Sequence, residues 1–352
     1  MTRPRRLVVP RSKWLRTTVA ALLLFAVPGL AMAPRQVLHP EYQAFIDEMV
    51  QRHGFDYFHL WRVFKQIQPN QSVVRAISAP VTSRPWSEFR PLFVDQSRIA
   101  TGVKFWNDNA EVLARARSVY GVPEAVTVAL IGIETRYGRQ MGSHRVVEAV
   151  ATLAFDVPER AKFFRGELEQ FLLLCRDQGW QPLDIKGSYA GAMGMPQFIP
   201  SSMRRFAVDF DGDGKTDVWG NPADAVGSVA NYLRYYGWEA EGTVAVPARL
   251  DGVDAQEIVD LGMKPILSVA DLRARGVELL AEAPDPALAA LIPLVTADGP
   301  EYWLGFNNFH ALLQYNRSRN YAMAVYQLSL EIAREREGAM AVGADSASAA
   351  TR

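Results

Sequence analysis

The carboxylate best placed to do chemistry in this sequence is Glu134. It closes the run Ala125-Val-Thr-Val-Ala-Leu-Ile-Gly-Ile-Glu134, which is apolar almost all round and is followed by Thr135-Arg136-Tyr137-Gly138-Arg139. A helix apolar on every face belongs inside a protein. A glutamate at its mouth loses solvation when ionised, which raises its pKa. A general acid working near neutral pH needs that property. Gly138 is the candidate C-terminal cap, and Arg136, two residues on, does not share the face of Glu134. The alternative is a solvated glutamate at a helix end.

Three further segments could bind something. Lys186-Gly-Ser-Tyr-Ala-Gly-Ala-Met-Gly-Met-Pro-Gln-Phe-Ile-Pro-Ser-Ser leaves backbone accessible through its small residues. Ser188, Tyr189, Gln197 and Phe198 add hydroxyls, an amide and ring faces, a composition suited to an oligosaccharide. A tight helix-packing loop has the same composition. In Asp209-Phe-Asp211-Gly-Asp213-Gly214-Lys215-Thr-Asp217-Val-Trp219 the aspartates at positions 1, 3, 5 and 9 and the glycine at 6 match the start of an EF-hand loop. Position 12 is Gly220 instead of the bidentate glutamate, so Asp224 is the candidate to close the shell. The metal set is then Asp209, Asp211, Asp213, Lys215 and Asp224, holding a structural Ca2+ or Na+, with an Asp-Gly turn as the alternative. Last, Tyr315-Asn316-Arg317-Ser-Arg-Asn-Tyr321 follows Tyr302-Trp303-Leu-Gly-Phe-Asn-Asn-Phe. Aromatics among amides again suit carbohydrate, though a helix start with ordinary core aromatics would look alike.

Other chemistries lack their residues. Gly214-Lys215-Thr216 suggests a phosphate loop, but that motif needs glycine where Asp209 stands, and a carboxylate there repels phosphate, so a nucleotide is excluded. Ser188 has no Gly-x-Ser-x-Gly setting, which argues against a serine hydrolase. One cysteine, Cys175, rules out an intrachain disulfide, a zinc finger or a Cys–Cys redox pair. The five histidines show no metal-ligand spacing. No cofactor is expected for catalysis.

The elements that must position these groups read mostly as helix. Apolar periodicity predicts helices over 41–53, 56–67, 98–120, 124–136, 145–154, 161–178, 201–208, 224–236 and from 309 and 321 to about 336. Residues 68–91, rich in Pro, Ser and Arg, read as an extended loop. Between 243 and 297 the pattern turns to short strands at 243–246 and 291–295, with one helix opening at Ser268 and Asp271 as its capping partner. The fold class is mainly α (α+β). It divides into residues 1–33, an N-terminal helical region 34–120, a core 121–242, a small β-containing region 243–300, C-terminal core helices 301–337 and a disordered tail 338–352.

The chain has 352 residues, 38 basic and 38 acidic, with 49% hydrophobic residues, enough for a large core. Residues 1–33 carry six basic residues and no acid, then the apolar run from Val19 to Val27 and a Pro-Gly-Leu-Ala-Met-Ala stretch. That order makes a secretory signal peptide. Its removal leaves 32 basic against 38 acidic residues, which argues against a nucleic-acid partner. With no cysteine near the end of the apolar run, the expectation is a soluble periplasmic protein after signal cleavage, acting as a monomer.

Together the segments resemble the lytic murein transglycosylase B family (glycoside hydrolase family 103). The matching text is Ile-Gly-Ile-Glu134-Thr-Arg-Tyr-Gly-Arg, Gly-Ser-Tyr-Ala-Gly-Ala-Met-Gly-x-x-Gln197-Phe, Asp-Phe-Asp-Gly-Asp-Gly, Gly-Ser-Val-Ala-Asn-Tyr-Leu and Tyr-Asn316-x-Ser-x-x-Tyr-Ala-Met-Ala-Val, in the family's order from about residue 38 to 335. The resemblance implies a lysozyme-like core and non-hydrolytic cleavage of the β-1,4 bond between N-acetylmuramic acid and N-acetylglucosamine in peptidoglycan, leaving a 1,6-anhydro end. It implies Glu134 as catalytic acid, with Phe89, Arg160, Ser188, Gln197, Phe198, Tyr315, Asn316 and Tyr321 on the glycan strand, and cell-wall synthesis machinery as a candidate partner. Three departures stand out. Glu159 replaces a basic residue beside Arg160, Phe89 replaces a cleft tyrosine, and the metal loop is one residue longer before Asp224. Ordinary glycosidases use two carboxylates, and here only one is persuasive. The rival classes are a peptidoglycan-binding protein without turnover and a calcium-stabilised scaffold.

Overall fold

The computed structural model describes residues 38–78, 84–250, 255–283 and 287–350. The signal segment 1–33 lies outside the described residues. The first helices are α1 (Pro40–His53), α2 (Tyr57–Phe64), α3 (Gln71–Ser78) and α4 (Trp86–Phe93). The last two replace the loop expected over 68–91. α4 keeps Pro91 inside, and its first turn is anchored by burial: Trp86 and Phe89 are core residues. The long helix expected over 98–120 is two, α5 (Gln96–Asp108) and α6 (Ala110–Tyr120), broken at Asn109, whose side-chain amide donates to the Phe105 carbonyl at 2.8 Å. An asparagine that bonds backbone locally competes with the helical ladder.

The centre is α7 (Glu124–Thr135), in which every residue from Val126 to Ile133 is buried. α5, α6, α11 (Pro222–Tyr235) and α15 (Arg319–Ala350) pack against it, while α8 (Val146–Asp156) packs on α9 (Ala161–Gln178), α10 (Pro200–Phe206) on α9 and α11, and α14 (Asn307–Tyr315) on α11 and α15. α15 lies against α4, α5 and α7. It continues as helix through 338–350, where a disordered tail was expected: the segment is rich in Ala, the best helix former, and no proline intervenes. No single helix among the described residues is long and apolar enough to cross a membrane.

A two-stranded pair, β1 (His144–Arg145) and β2 (Lys186–Gly187), sits beside the core. The other sheet is antiparallel, with β3 (Ala245–Leu250), β4 (Leu267–Ser268), β5 (Val277–Leu279), β6 (Leu288–Thr296) and β7 (Gly299–Gly305) in the order β4-β6-β7-β3-β5. Its last strand reaches Gly305, past residue 300. Two short helices, α12 (Gln256–Val259) and α13 (Val269–Ala274), cover one face, and Val246, Ile258, Leu272, Leu291 and Leu304 make its own core. Ser268 caps α13 as the sequence predicts: its hydroxyl accepts from the Asp271 amide at 3.0 Å.

Candidate active site

The C-terminus of α7 is set by side chains behind it. Gly138 does not form the cap. Arg136 does, in the left-handed region at φ 49°, and Tyr137 and Gly138 follow at φ 61° and 83°. A run of non-glycine residues there costs of order 1 kcal/mol each, so something must hold it. The Tyr137 hydroxyl donates to the Arg98 carbonyl at 2.9 Å. Its ring occupies space that only glycine leaves at two helix crossings: a Cβ on Gly102 or Gly132 would stand 2.4 or 2.5 Å from that oxygen. Arg98, 4% exposed, donates to the carbonyl of Gly132 at 3.1 Å and to Asp95 at 2.8 Å. A buried cation at the negative end of α7 offsets its orphan carbonyls.

The small-residue segment is held against that end from the other side. Thr135 donates through Oγ1 to the Met195 carbonyl at 3.2 Å and accepts from the Gly138 amide at 3.0 Å. Gly142, at φ 90°, lies so close to Gly187 that a Cβ would fall 2.1 Å from its carbonyl oxygen. Ser188 Oγ accepts from the amides of Ala190 and Ala192 at 3.2 and 3.0 Å, leaving its own proton to donate. Gln197 sits at φ 51°, and its amide nitrogen is committed to the carbonyls of Met141 and Gly194 at 3.2 and 2.9 Å, so its Oε1 is left for a ligand.

Glu134 itself is half-buried, and its Oε1 accepts a hydrogen bond from the Tyr321 hydroxyl, 187 residues away in sequence. Burial penalises the charged carboxylate and pushes its pKa from 4.5 to about 7, against the lowering effect of that hydrogen bond. No acidic residue among those described adds to the shift. Tyr321 is 4% exposed, and burial, with the Glu134 charge beside it, holds its hydroxyl protonated far above neutral pH. With Oε1 accepting from a hydroxyl, Oε2 is the oxygen left to carry the proton when Glu134 is protonated.

Tyr315 stands next to this pair. Its hydroxyl donates to the Pro196 carbonyl at 2.5 Å, its ring lies 4.7 Å from that of Tyr232, and burial and the Glu134 charge both raise its pKa. The Asn316 side-chain amide is half-buried and makes no hydrogen bond to any described residue. The structure therefore brings Glu134, Tyr315 and Tyr321 into one cluster, with Ser188, Gln197 and Asn316 on the segments that carry it.

Two expected binding residues offer no ring face. Phe89 is 1% exposed and stacks on Phe93 at 4.5 Å. Phe198 is 2% exposed and packs among Phe206, Tyr232 and Tyr315. Both are core residues, because an aromatic beside other aromatics gains more by packing than by exposure. Arg160 stands exposed on a 3-10 turn, Pro158–Arg160, without contact to the cluster. Arg98, Tyr137 and Tyr232 were not anticipated. The signal for Tyr137 was the pair Gly102 and Gly132, each inside a helix where glycine costs about 1 kcal/mol against alanine.

The Asp209 loop is a different kind of site. One carboxylate oxygen each from Asp209, Asp211 and Asp213 lie within 4.8 Å of one another. Asp209 accepts from the amides of Gly212, Asp213 and Gly214 at 2.8 to 3.1 Å, which folds the loop around it. Asp224 does not join them. It is fully buried, and its two oxygens accept from the amides of Phe210 and Asp217, both at 2.7 Å, so it staples the two ends of the loop. Spacing alone could not show which way that side chain points. Lys215 contributes an amide to Asp213 at 2.8 Å. Beside the loop a cavity of about 860 Å3, with Trp180, Trp219 and Lys186 in its walls, reaches Met141 and Gly142 but not Glu134.

Residues 38–330 match the transglycosylase SLT domain family. The chain is 43% identical over 305 residues to the membrane-bound lytic murein transglycosylase B of Escherichia coli (strain K12), covering 84% of this chain and 83% of that one. Among solved structures it is similar to the soluble lytic transglycosylase SltB1 of Pseudomonas aeruginosa, with a TM-score of 0.79, 47% identity and coverage of 85% of this chain and all of that one. It is also similar to the Escherichia coli lytic transglycosylase Slt35 in complex with calcium, with a TM-score of 0.77, 42% identity and coverage of 84% and 94%.

Proposed function

The chain belongs to the transglycosylase SLT domain family and is a lytic murein transglycosylase with a lysozyme-like fold, and from that premise we propose that Glu134 alone carries the proton transfers of the reaction on peptidoglycan. Protonated at Oε2, Glu134 gives its proton to the oxygen leaving C1 of the muramyl sugar as that C–O bond breaks. The substrate's own N-acetyl group supports the cationic ring. The ionised Glu134, held by the Tyr321 hydroxyl at Oε1, then removes the proton of the C6 hydroxyl, whose oxygen bonds to C1 and closes the 1,6-anhydro ring. An attached hydroxyl at high effective molarity outcompetes water. Glu134 ends protonated, as it began.

The observation that carries this reading is a single carboxyl, raised by burial to about 7, with no acidic partner among the described residues. Mass analysis of digested murein tests it. Products one water lighter than hydrolysis products are expected, and reducing ends would replace this mechanism with hydrolysis. Intact strands would make the protein a binder without turnover.

The Asp209 loop fits a hard cation, since three carboxylates converge there. Asp209, Asp211 and Asp213 would hold Ca2+ or Na+ as a structural ion remote from the proton transfers. With its N-terminal signal segment, the chain acts on the wall from the periplasm.

A further inference from the structure

The cavity of about 860 Å3 beside the Asp209 loop supplies the ring faces that Phe89 and Phe198 withhold. Trp180 and Trp219 both stand in its wall, each half-buried, with their rings edge to face at 5.3 Å. Both are held there by backbone. Gly179, at φ 68°, ends α9, and the Trp180 amide donates back to the Cys175 carbonyl at 2.8 Å, which closes the helix cap. Asp217 Oδ1 accepts from the amides of Trp219 and Gly220, each at 2.9 Å, and so fixes the turn that carries the second indole. Neither indole N–H has a hydrogen-bond partner among the described residues, and the side chains of Gln178, Asp184, Lys186, Lys215 and Thr216 in the same wall have none there either. Two indoles, two amines, a carboxylate, an amide and a hydroxyl, all unengaged, suit one ligand chemistry. The C–H face of a pyranose covers an aromatic ring, and its hydroxyls both donate and accept. The carboxylates of Asp184 and Asp217 disfavour a bare anion, and the unpaired polar groups disfavour a lipid tail.

We propose that the Trp180–Trp219 cavity is a second saccharide site, which holds a pyranose unit of the glycan strand apart from the bond being cleaved. The proposal rests on the peptidoglycan reading above and extends it in space. Glu134, Ser188, Gln197, Tyr315 and Tyr321 are not among the residues that line the cavity. Its wall nonetheless adjoins the segments that carry them. The Met141 carbonyl, on the cavity, accepts from Gln197 Nε2 at 3.2 Å, and Gly142 packs on Gly187, the residue before Ser188. The two sites therefore share a stretch of backbone, and one strand can engage both. A strand seated on the indoles presents its next sugars to the acid at high effective concentration, whereas a short fragment must be captured by the cleft alone.

The test reads binding first, in Glu134→Gln with Ca2+ present throughout. The indole N–H signals of Trp180 and Trp219 are followed by NMR, assigned through Trp180→Phe and Trp219→Phe. Adding the N-acetylglucosamine trimer should move both signals, and Trp219→Ala should remove the response of Trp180. Signals that stay still overturn the proposal. So do signals that move as far with hexanol or with inorganic phosphate, which would make the cavity a general apolar or anion site. Turnover with Glu134 in place then reads the consequence. On long strands Trp219→Ala is expected to lose about three- to tenfold in kcat/KM, through KM, the worth of one ring contact, and Trp219→Phe to recover most of it. On the shortest fragment the enzyme cleaves, Trp219→Ala should match the wild type. Equal loss on both substrates, or no loss on either, also overturns the proposal. Formation of anhydro ends reports on the Glu134 mechanism alone, and should that mechanism fail, the NMR titration still decides the cavity.

Discussion

Two groups of carboxyls in this molecule have opposite fates. Glu134 is one acid at the closed end of an apolar helix, with a single hydroxyl donor, and burial keeps its proton on up to about pH 7. The aspartates at 209, 211 and 213 crowd together at the surface. Asp211 is held below the usual carboxylate range, first by the Asn221 side chain and then by the Asp213 amide. The same functional group is thus held neutral in one place and charged in the other. Solvent access and the hydrogen-bond donors around each carboxyl decide which.

The largest test of this contrast is Glu134→Gln. Losing the acid should cost about 10²–10⁴-fold in turnover, with glycan binding retained. The same change should stabilise the fold. Because the folded state binds the Glu134 proton more tightly than the unfolded one, stability falls as pH rises from 4.5 to about 7, a penalty of about 3 kcal/mol once complete. Thermal melts should therefore show the variant equal to the wild type at pH 4 and more stable at pH 8. A variant that is less stable at both would mean that Glu134 is not held neutral by its surroundings.

Next in size is Asp224→Ala, which strips the Phe210 and Asp217 amides of their acceptors. It should cost about 2–4 kcal/mol, read from denaturant midpoints. Adding Ca2+ at about a hundred times its Kd should raise the melting temperature by roughly 5–10 °C, and Asp211→Asn/Asp213→Asn should abolish that rise without changing the catalytic pH profile. The smallest effect belongs to Tyr321→Phe. It removes the one hydrogen bond that lowers the Glu134 pKa, so the alkaline limb of the activity profile should move to higher pH. A shift in the other direction would show the hydroxyl stabilising the acid and not its anion.

Much of this was legible from residues alone. The all-round apolar run of α7 announced a buried helix, and its terminal glutamate a perturbed acid. The Ser268 cap and the strand patterning of the β region were local signals that tertiary packing left in place. What could not be read depended on direction or on distant partners. Asp224 has the spacing of a ligand, but its side chain points inward. Phe89 and Phe198 look like sugar platforms until the aromatics packed on them from other helices are known. The helices α3 and α4, written in Pro, Ser and Arg, owe their existence to buried residues such as Val73, Trp86 and Phe89 rather than to propensity. The cap at Arg136 depends on Tyr137 meeting a helix more than thirty residues earlier.

The bond between Tyr321 and Glu134 also has a temporal meaning. Its two ends are separated by more than half the chain, and closing so long a loop is among the slow events of folding. A nascent or truncated polypeptide lacking α15 has the acid but neither the hydroxyl that steadies it nor the helix that shields it from water. An enzyme able to breach the wall that protects its own cell is thereby unarmed until synthesis is complete.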